Sequence, residues 1–426
     1  MGARHSKSRS KSRRAQASTA AEPGPGPAEQ PASASASASP APNHPDAMAA
    51  QLAATLSPFE RRCVGSMIGK FCGDVLGAAV EGWDVERIRE AAPDGLCSFV
   101  TGTNRGDGCY TDDTQMAIAL ARSLVACGGR CDALSAARAY ANEYEMGRGY
   151  GGTAYKILVL IRRQGIDEES LASIGTYFIP GGSFGNGGAM RIAPLGLVYR
   201  HAPPAMLREA VAAALRVTHV HPTAIDGAFA IALAVAYLST HAPPAPPAPA
   251  AAAAAPAGGG GGDAAGKPAT VSGLFDFVLA QGAMMETPAM VEKLQAVRGA
   301  VLQAAPLAKA PGQGWAAYFA SPGWAAELTL HAAVSEPFQI RADDAAAVAL
   351  AALTFHWGRP QDAVVAAVHY GGDTDTIAAI VGGMVGALHG VDWLPDCWLA
   401  PLENGPAGRD AVVALARELA QFDTRS

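Results

Sequence analysis

Charge and aromatic rings are both scarce in this chain. Only 16% of its 426 residues are charged and 7% are aromatic, while half are hydrophobic. The net charge of −6 supplies no overall attraction to nucleic acid, so no direct sequence-specific nucleic-acid binding is expected. Cysteine is sparse too. The seven residues (Cys63, Cys72, Cys97, Cys109, Cys127, Cys131 and Cys397) are scattered and odd in number, and Cys127 and Cys131 lack a second pair at zinc spacing. No signal-peptide-like apolar segment accompanies them, so the expectation is reduced thiols in an intracellular protein, cytoplasmic or nuclear. Long apolar runs are absent: stretches such as Gly227–Leu238 reach about a dozen residues, short of a bilayer span, and no transmembrane segment is expected. Strand signals are few as well.

Helical periodicity fills the space left by these absences. It predicts helices over Phe59–Val80, Gln115–Val125, Ala224–Leu238, Ala345–Phe355, Ile377–His389 and Gly408–Phe422, among others, separated by Gly-rich loops. The expected fold is an all-α single domain over residues 57–424, taken as a monomer. Residues 1–56 read as a disordered tail. The first 14 residues hold six Lys/Arg and no acid, and a Pro/Ala/Ser/Gly tract follows. Four readings of the tail stay open: N-myristoylation at Gly2, an organelle transit peptide, a nuclear signal from Lys7 to Arg14, or a plain solvated segment. Residues 241–270, Pro/Ala-rich and then Gly-rich, read as a flexible surface insertion between two helices.

Two short acidic motifs stand out. Thr111-Asp112-Asp113-Thr114 and Gly371-Gly372-Asp373-Thr374-Asp375-Thr376 each crowd carboxylates and hydroxyls at the start of an Ala-rich helix. Each could be an N-cap. Two of the same pattern point further, to a pair of divalent ions, Mg²⁺ or Mn²⁺, since oxygen donors without Cys or His favour a hard cation. Asp74 and Glu81, seven residues apart in an apolar Gly-lined stretch, could share one helix face, with an exposed helix end as the alternative for Glu81. The loop Gly181-Gly182-Ser183-Phe184-Gly185-Asn186-Gly187-Gly188 is either an ordinary turn or a diphosphate cradle, with Phe184 as a ring for a base or sugar. Arg148-Gly149-Tyr150-Gly151-Gly152 reads as its smaller partner. In Thr218-His219-Val220-His221-Pro222, His219 is a candidate polar contact to substrate and His221 structural; plain loop roles for both remain open.

Taken in order, Glu81, the TDDT motif, RGYGG, SFGNGGAMR, the TH before Pro222 and GGDTDT resemble the ADP-ribosylglycohydrolases, the family of dinitrogenase reductase-activating glycohydrolase. The likeness runs from about Phe59 to Phe422 outside the insertion. It is closest in form to the branch acting on serine-linked ADP-ribose, poly(ADP-ribose) and O-acetyl-ADP-ribose. The resemblance implies an all-α fold with a binuclear Mg²⁺ centre and ADP-ribosylated proteins or poly(ADP-ribose) as substrate partners. Carried onto this sequence, it makes Thr111, Asp112, Asp113, Asp373, Asp375 and Thr376 the metal ligands and Glu81 a mobile catalytic acid. It makes Gly149, Tyr150, Gly151, Gly182, Ser183, Phe184, Gly185, Asn186, Gly187, Gly188 and His219 substrate contacts, with Phe178 and Phe184 on the adenosine side. Phe184 stands where the family often has tyrosine and Gly181 where a basic residue is common, and His331 to Pro337 departs most.

Three rivals are weighed. A haloacid-dehalogenase-type phosphatase would need a hydrophobic strand before Asp373, where Gly371-Gly372 stands instead. A non-catalytic ADP-ribose reader would not need every ligand plus Glu81. An arginine-directed hydrolase would carry a different form of both acidic motifs.

Overall fold

The computed structural model describes residues 47–101, 107–244 and 267–425. All of these belong to one compact unit, Pro45–Ser426. Regular structure among the described residues is helical, and extended pairing is limited to two isolated bridges, Gly185 with Arg341 and Ala242 with Pro268. The readings of the basic segment, the Pro/Ala/Ser/Gly tract and the interior of the 241–270 insertion lie outside the described residues. The insertion's two ends are paired: the Ala242 amide donates to the Lys267 carbonyl, and the Ala269 amide to the Ala242 carbonyl, at 3.2 and 2.8 Å.

The core is built on two antiparallel helices, Pro58–Ala78 and Thr374–His389. The first opens on a capping box: Ser57 Oγ accepts from the Glu60 amide, and the Glu60 carboxylate accepts from the Ser57 amide. From Cys63 to Gly77 every residue is buried, so the helix is enclosed on all sides. Gly65, Gly69, Gly73 and Gly77 recur every four residues and therefore share one face. They meet Gly390 and Gly386, Gly382, Ala378 and Thr374 in turn. A methyl group at Gly69 would stand 2.5 Å from the Gly382 carbonyl oxygen, and one at Gly77 would stand 2.5 Å from the Asp375 nitrogen. The helices thus touch backbone to backbone, a separation only residues without a Cβ permit.

Pro222–Thr240 and Ala342–Phe355 flank this pair, and almost every residue in both is buried. Pro222–Thr240, with 19 residues, is long and apolar enough to cross a membrane by length and composition, which corrects the expectation that no segment reaches that length. Burial in the core accounts for its composition, since 89% of its apolar window is covered by the rest of the fold.

The predicted helices are all present, with the acidic motifs drawn inside the first turns of Asp112–Ala126 and Thr374–His389 rather than preceding them. The tail was drawn too long. Ala47–Ala54 is a helix, and the Met48 and Ala49 amides donate to the Asp396 carboxylate at 3.1 and 3.3 Å, which ties the segment to the domain. Pro322–Val334 went unread because Ala325, Ala332 and Ala333 face outward and blur its period.

Two glycine substitutions should have opposite signs. Gly386→Ala would drive a methyl into the Gly65 backbone and is expected to destabilise by about 3 kcal/mol or more. Gly299→Ala, in a helix with open space around the added carbon, should be neutral or stabilising by about 0.5–1 kcal/mol. Urea unfolding of both variants checks the pair, and equal midpoints would contradict the backbone contact.

Candidate active site

Glu81 reaches the acids through a turn. The helix ends at Ala78, so Glu81 is not on the helical face of Asp74, as the spacing suggested. The turn is pinned reciprocally: the Gly82 amide donates to the Gly372 carbonyl at 2.8 Å and the Gly372 amide to the Trp83 carbonyl at 2.9 Å. Gly371 and Gly372 sit at φ +71 and +77, a left-handed pair that side chains rarely tolerate and that swings Asp373 toward Glu81. Carboxylate oxygens of Glu81, Asp373 and Asp375 lie within 4.8 Å of one another. Thr374 Oγ1 turns the other way and caps the Gly77 carbonyl at 2.8 Å.

Asp74 serves the first motif instead. It is fully buried and accepts from the Thr111 amide (3.0 Å), the Thr114 amide (3.1 Å) and Thr114 Oγ1 (2.6 Å). Thr111 caps its helix through the Asp113 amide and also donates its hydroxyl to Asp113 Oδ2 at 3.0 Å. Thr376 Oγ1 approaches the same oxygen at 3.4 Å, which joins the two motifs across 263 residues. The N-cap and ligand readings of the first motif are therefore compatible.

These acids are costly to ionise where they stand. Burial first, then the charge of Asp113, pushes the Asp74 carboxyl up to about 7 and Asp373 up to about 6. Burial also raises Asp112, Asp113 and Asp375, with neighbouring carboxylates adding to the effect at Asp112 and Asp375. The buried Lys70, whose ammonium donates to the Met190 carbonyl, offsets part of the charge at Asp113. Asp113 Oδ1 is buried and receives no hydrogen bond. An orphaned carboxylate oxygen beside an all-oxygen triad fits a hard divalent cation.

The SFGNGG loop joins this cluster through Asn186. Its Nδ2 donates to Asp373 Oδ2 at 2.7 Å and to the Gln339 carbonyl at 2.8 Å. The Asn186 amide donates to the Ile340 carbonyl, and the Ala342 amide to the Phe184 carbonyl, at 2.9 and 3.1 Å. Ser183 Oγ accepts from the Gly185 amide at 3.1 Å. Gly187 and Gly188 begin the short helix Gly187–Arg191, and His219 lies beneath Gly185 and Gly187, while Gly182 packs on Val220. His221 Nδ1 accepts from the Thr223 amide at 3.1 Å, the structural role expected of it. Phe178 and Phe184 are both partly exposed but keep different company: Phe178 meets Tyr177, and Phe184 meets His221 and Arg341. The Gly149-Tyr150-Gly151 loop is placed beside the first acidic motif. The Asp112 amide donates to the Arg148 carbonyl at 2.7 Å, and Tyr150 Oη donates to Gln115 Oε1 at 2.8 Å.

Residues 55–426 match the family model described as ADP-ribosylglycohydrolase. The chain belongs to the ADP-ribosylglycohydrolase family. It is 27% identical over 373 residues to the ADP-ribosylhydrolase ARH3 of Bos taurus and 28% identical over 370 residues to that of Homo sapiens. Each alignment covers 83% of this chain and 91% of the relative. A solved structure described as an ADP-ribosylglycohydrolase-related protein complex superposes with a TM-score of 0.57 at 25% identity, covering 87% of this chain and 100% of its own. The protein is thus a glycosyl-hydrolase-type enzyme of all-α fold that acts on ADP-ribose linkages.

One residue of this ADP-ribosylglycohydrolase family member escaped the sequence reading. Gln339 is fully buried, and its Oε1 accepts from the Asp373 amide at 3.0 Å while its Nε2 donates to the Pro337 carbonyl at 3.0 Å and lies 2.8 Å from His331 Nε2. Its backbone carbonyl takes Asn186, so a single residue steadies both the second acidic motif and the Gly-rich loop. The readable signal was the alternation Phe338, Gln339, Ile340, in which the two apolar side chains are exposed and the amide is inward. Gln339→Leu should cost about 1–3 kcal/mol in urea unfolding, since it leaves the Asp373 amide unpaired. A wild-type midpoint would mean the amide does not hold Asp373.

Proposed function

We propose that this enzyme releases ADP-ribose from serine-linked ADP-ribosylated proteins, and also cleaves poly(ADP-ribose) and O-acetyl-ADP-ribose, with two Mg²⁺ ions at the acidic cluster; Mn²⁺ would serve in their place. The observation that carries the reading is the convergence of Glu81, Asp373 and Asp375 beside a Gly-rich loop to which Asn186 ties Asp373. Thr111, Asp112 and Asp113 would hold one side of the metal site, and Asp373, Asp375 and Thr376 the other. When bound, the ions would orient ribose hydroxyls and make a water more acidic.

Glu81 is the residue suited to proton handling. It lies on a turn outside the helix and is only partly buried. Breaking the bond at the anomeric carbon passes through an oxocarbenium-like state, and a carboxylate placed beside the attacking water can take its proton. Ser183 to Gly188 offer small residues and backbone amides to the diphosphate, and Phe184 and Phe178 offer rings to the adenosine side. The acids gathered here, Glu81, Asp112, Asp113, Asp373 and Asp375, are those that the metal and the proton transfer would use. The proton taken from the water can pass to the departing serine oxygen, which leaves as a neutral hydroxyl, whereas an arginine leaving group stays charged and would want a further acid. The names of the matched relatives agree with an ADP-ribosylhydrolase activity.

Glu81→Gln should lower kcat by about 10²-fold or more while leaving ADP-ribose affinity within a few-fold. Undiminished turnover would remove Glu81 from the chemistry. On matched peptides, release from serine should outpace trimming of poly(ADP-ribose) and exceed release from arginine; faster arginine release would reverse the linkage assignment and leave the hydrolase assignment intact.

Proton–metal competition gives a further expectation. Carboxyls whose pKa is raised in the fold stabilise it at low pH and lose that contribution as pH rises through about 6–7. Divalent metal would displace the protons of the ligand carboxyls, Asp373 among them, so the rise in unfolding temperature on adding Mg²⁺ over EDTA should be larger at pH 8 than at pH 5. The buried histidines act in the opposite sense in both conditions and cancel in this difference. A Mg²⁺ increment independent of pH would separate the metal from these carboxyls.

A further inference from the structure

The loop proposed to seat the diphosphate rests on a buried chain of side chains that the reaction itself does not use. Arg191 is fully buried at the end of the Gly187–Arg191 helix, its guanidinium 4.5 Å from the centre of the Tyr140 ring. It donates to the Gly187 carbonyl at 3.1 Å, to the Ala214 carbonyl at 3.3 Å and, through Nη2, to Thr218 Oγ1 at 2.8 Å. The same hydroxyl lies 2.7 Å from His219 Nδ1. The opposite edge of the imidazole faces the loop: carbons added at Gly187 and Gly185 would lie 2.9 and 3.4 Å from Nε2.

The direction of each proton in this chain follows from what each group can do. A guanidinium donates and never accepts, so Thr218 Oγ accepts a hydrogen bond from Arg191. Its own hydroxyl hydrogen then needs an acceptor, and among the described residues His219 Nδ1 is the one in reach. The reverse arrangement would aim two donors at one oxygen and strand the hydroxyl hydrogen. Burial first, and the Arg191 charge second, push the His219 pKa down to about 3, so the ring is neutral. A neutral imidazole accepting at Nδ1 carries its proton on Nε2, against the loop.

We propose that Arg191 and Thr218 are positioning residues that fix His219 as its Nε2–H tautomer, so that the floor of the loop presents a neutral N–H donor to a phosphate oxygen seated over Gly185 and Gly187. Phosphate oxygens only accept hydrogen bonds, so the other tautomer would turn a lone pair toward them. The inference rests on the reading of this loop as the diphosphate seat.

The test uses the full chain with ¹⁵N-labelled histidine, correlating ring nitrogens with ring protons and assigning His219 by the signals lost in His219→Gln. The wild type should show a pyridine-like Nδ1 and a pyrrole-like Nε2 at His219. Thr218→Val keeps the shape and removes the hydroxyl; it should mix the two tautomers and weaken ADP-ribose binding roughly tenfold, the effect of one compromised bond to a charged group. Thr218→Ser should restore both readouts, which a purely packing role for the threonine would not predict. A protonated Nδ1 in the wild type, or an unchanged tautomer in a folded Thr218→Val variant, overturns the proposal. Should Thr218→Val fail to fold, the wild-type and Thr218→Ser spectra decide it, both being required to show the Nε2–H form. Failure of the wild type to bind ADP-ribose would instead strike the diphosphate seat, and the tautomer would still be read independently.

Discussion

The catalytic geometry hangs on one contact, the backbone-to-backbone packing of Pro58–Ala78 on Thr374–His389. Gly77 touches the Thr374 and Asp375 backbone, so the end of one helix and the start of the other are fixed against each other where both motifs emerge. The register is set in steps of four residues, and the Thr374 hydroxyl on the Gly77 carbonyl locks it. A slip by one helical turn would carry Asp375 about 5 Å from its neighbours, more than the span of the whole carboxylate triad. The abundance of glycine and the precision of the acidic site are therefore one property seen at two scales.

That placement loads the interior with negative charge, and the fold offsets it piecemeal. Asp74 is spread over two amides and a hydroxyl, Lys70 supplies a buried ammonium, and both motifs sit in helical first turns where the positive end of the dipole lies. Four threonines divide the work. Thr114 and Thr374 bond structural partners, while Thr111 and Thr376 converge on Asp113. Asp113 Oδ1, by contrast, receives no hydrogen bond. A buried anion with one oxygen unmet favours whatever cation or proton can reach it, so stability and metal occupancy are coupled by construction.

The parts of this arrangement that follow local rules were readable from sequence. Helical periodicity, the two acidic motifs, the Gly-rich loop and the structural role of His221 all express contacts within a few residues. The misreadings have a common physical origin in distance along the chain. Whether Asp74 and Glu81 share a face depends on where the helix stops, which the Gly82–Gly372 pairing decides from 290 residues away. Gln339 matters through partners 34 and 153 residues distant. The Ala47–Ala54 helix is secured by Asp396, and no local pattern in an Ala-rich segment distinguishes such a helix from a tail. The 19-residue apolar helix Pro222–Thr240 shows the reverse error, a stretch judged too short because the polar residues at its ends lie within the same buried helix.

Asn186 turns these separate features into one machine. A single side-chain nitrogen, Nδ2, serves Asp373 on one side and the Gln339 carbonyl on the other, while the residue's own backbone belongs to the Gly-rich loop. Under the proposed function, ligand contact with the loop and cation occupancy of the acidic cluster would therefore act on one amide. If filling the cluster holds Asp373, it also holds Asn186, and the loop loses freedom it would otherwise surrender on binding. By thermodynamic reciprocity, a ligand that ordered the loop would then strengthen the cluster's hold on a proposed cation by the same factor. The buried links along this path, from Gln339 to Asn186 to Asp373, join the fold's interior to both the acidic cluster and the Gly-rich loop.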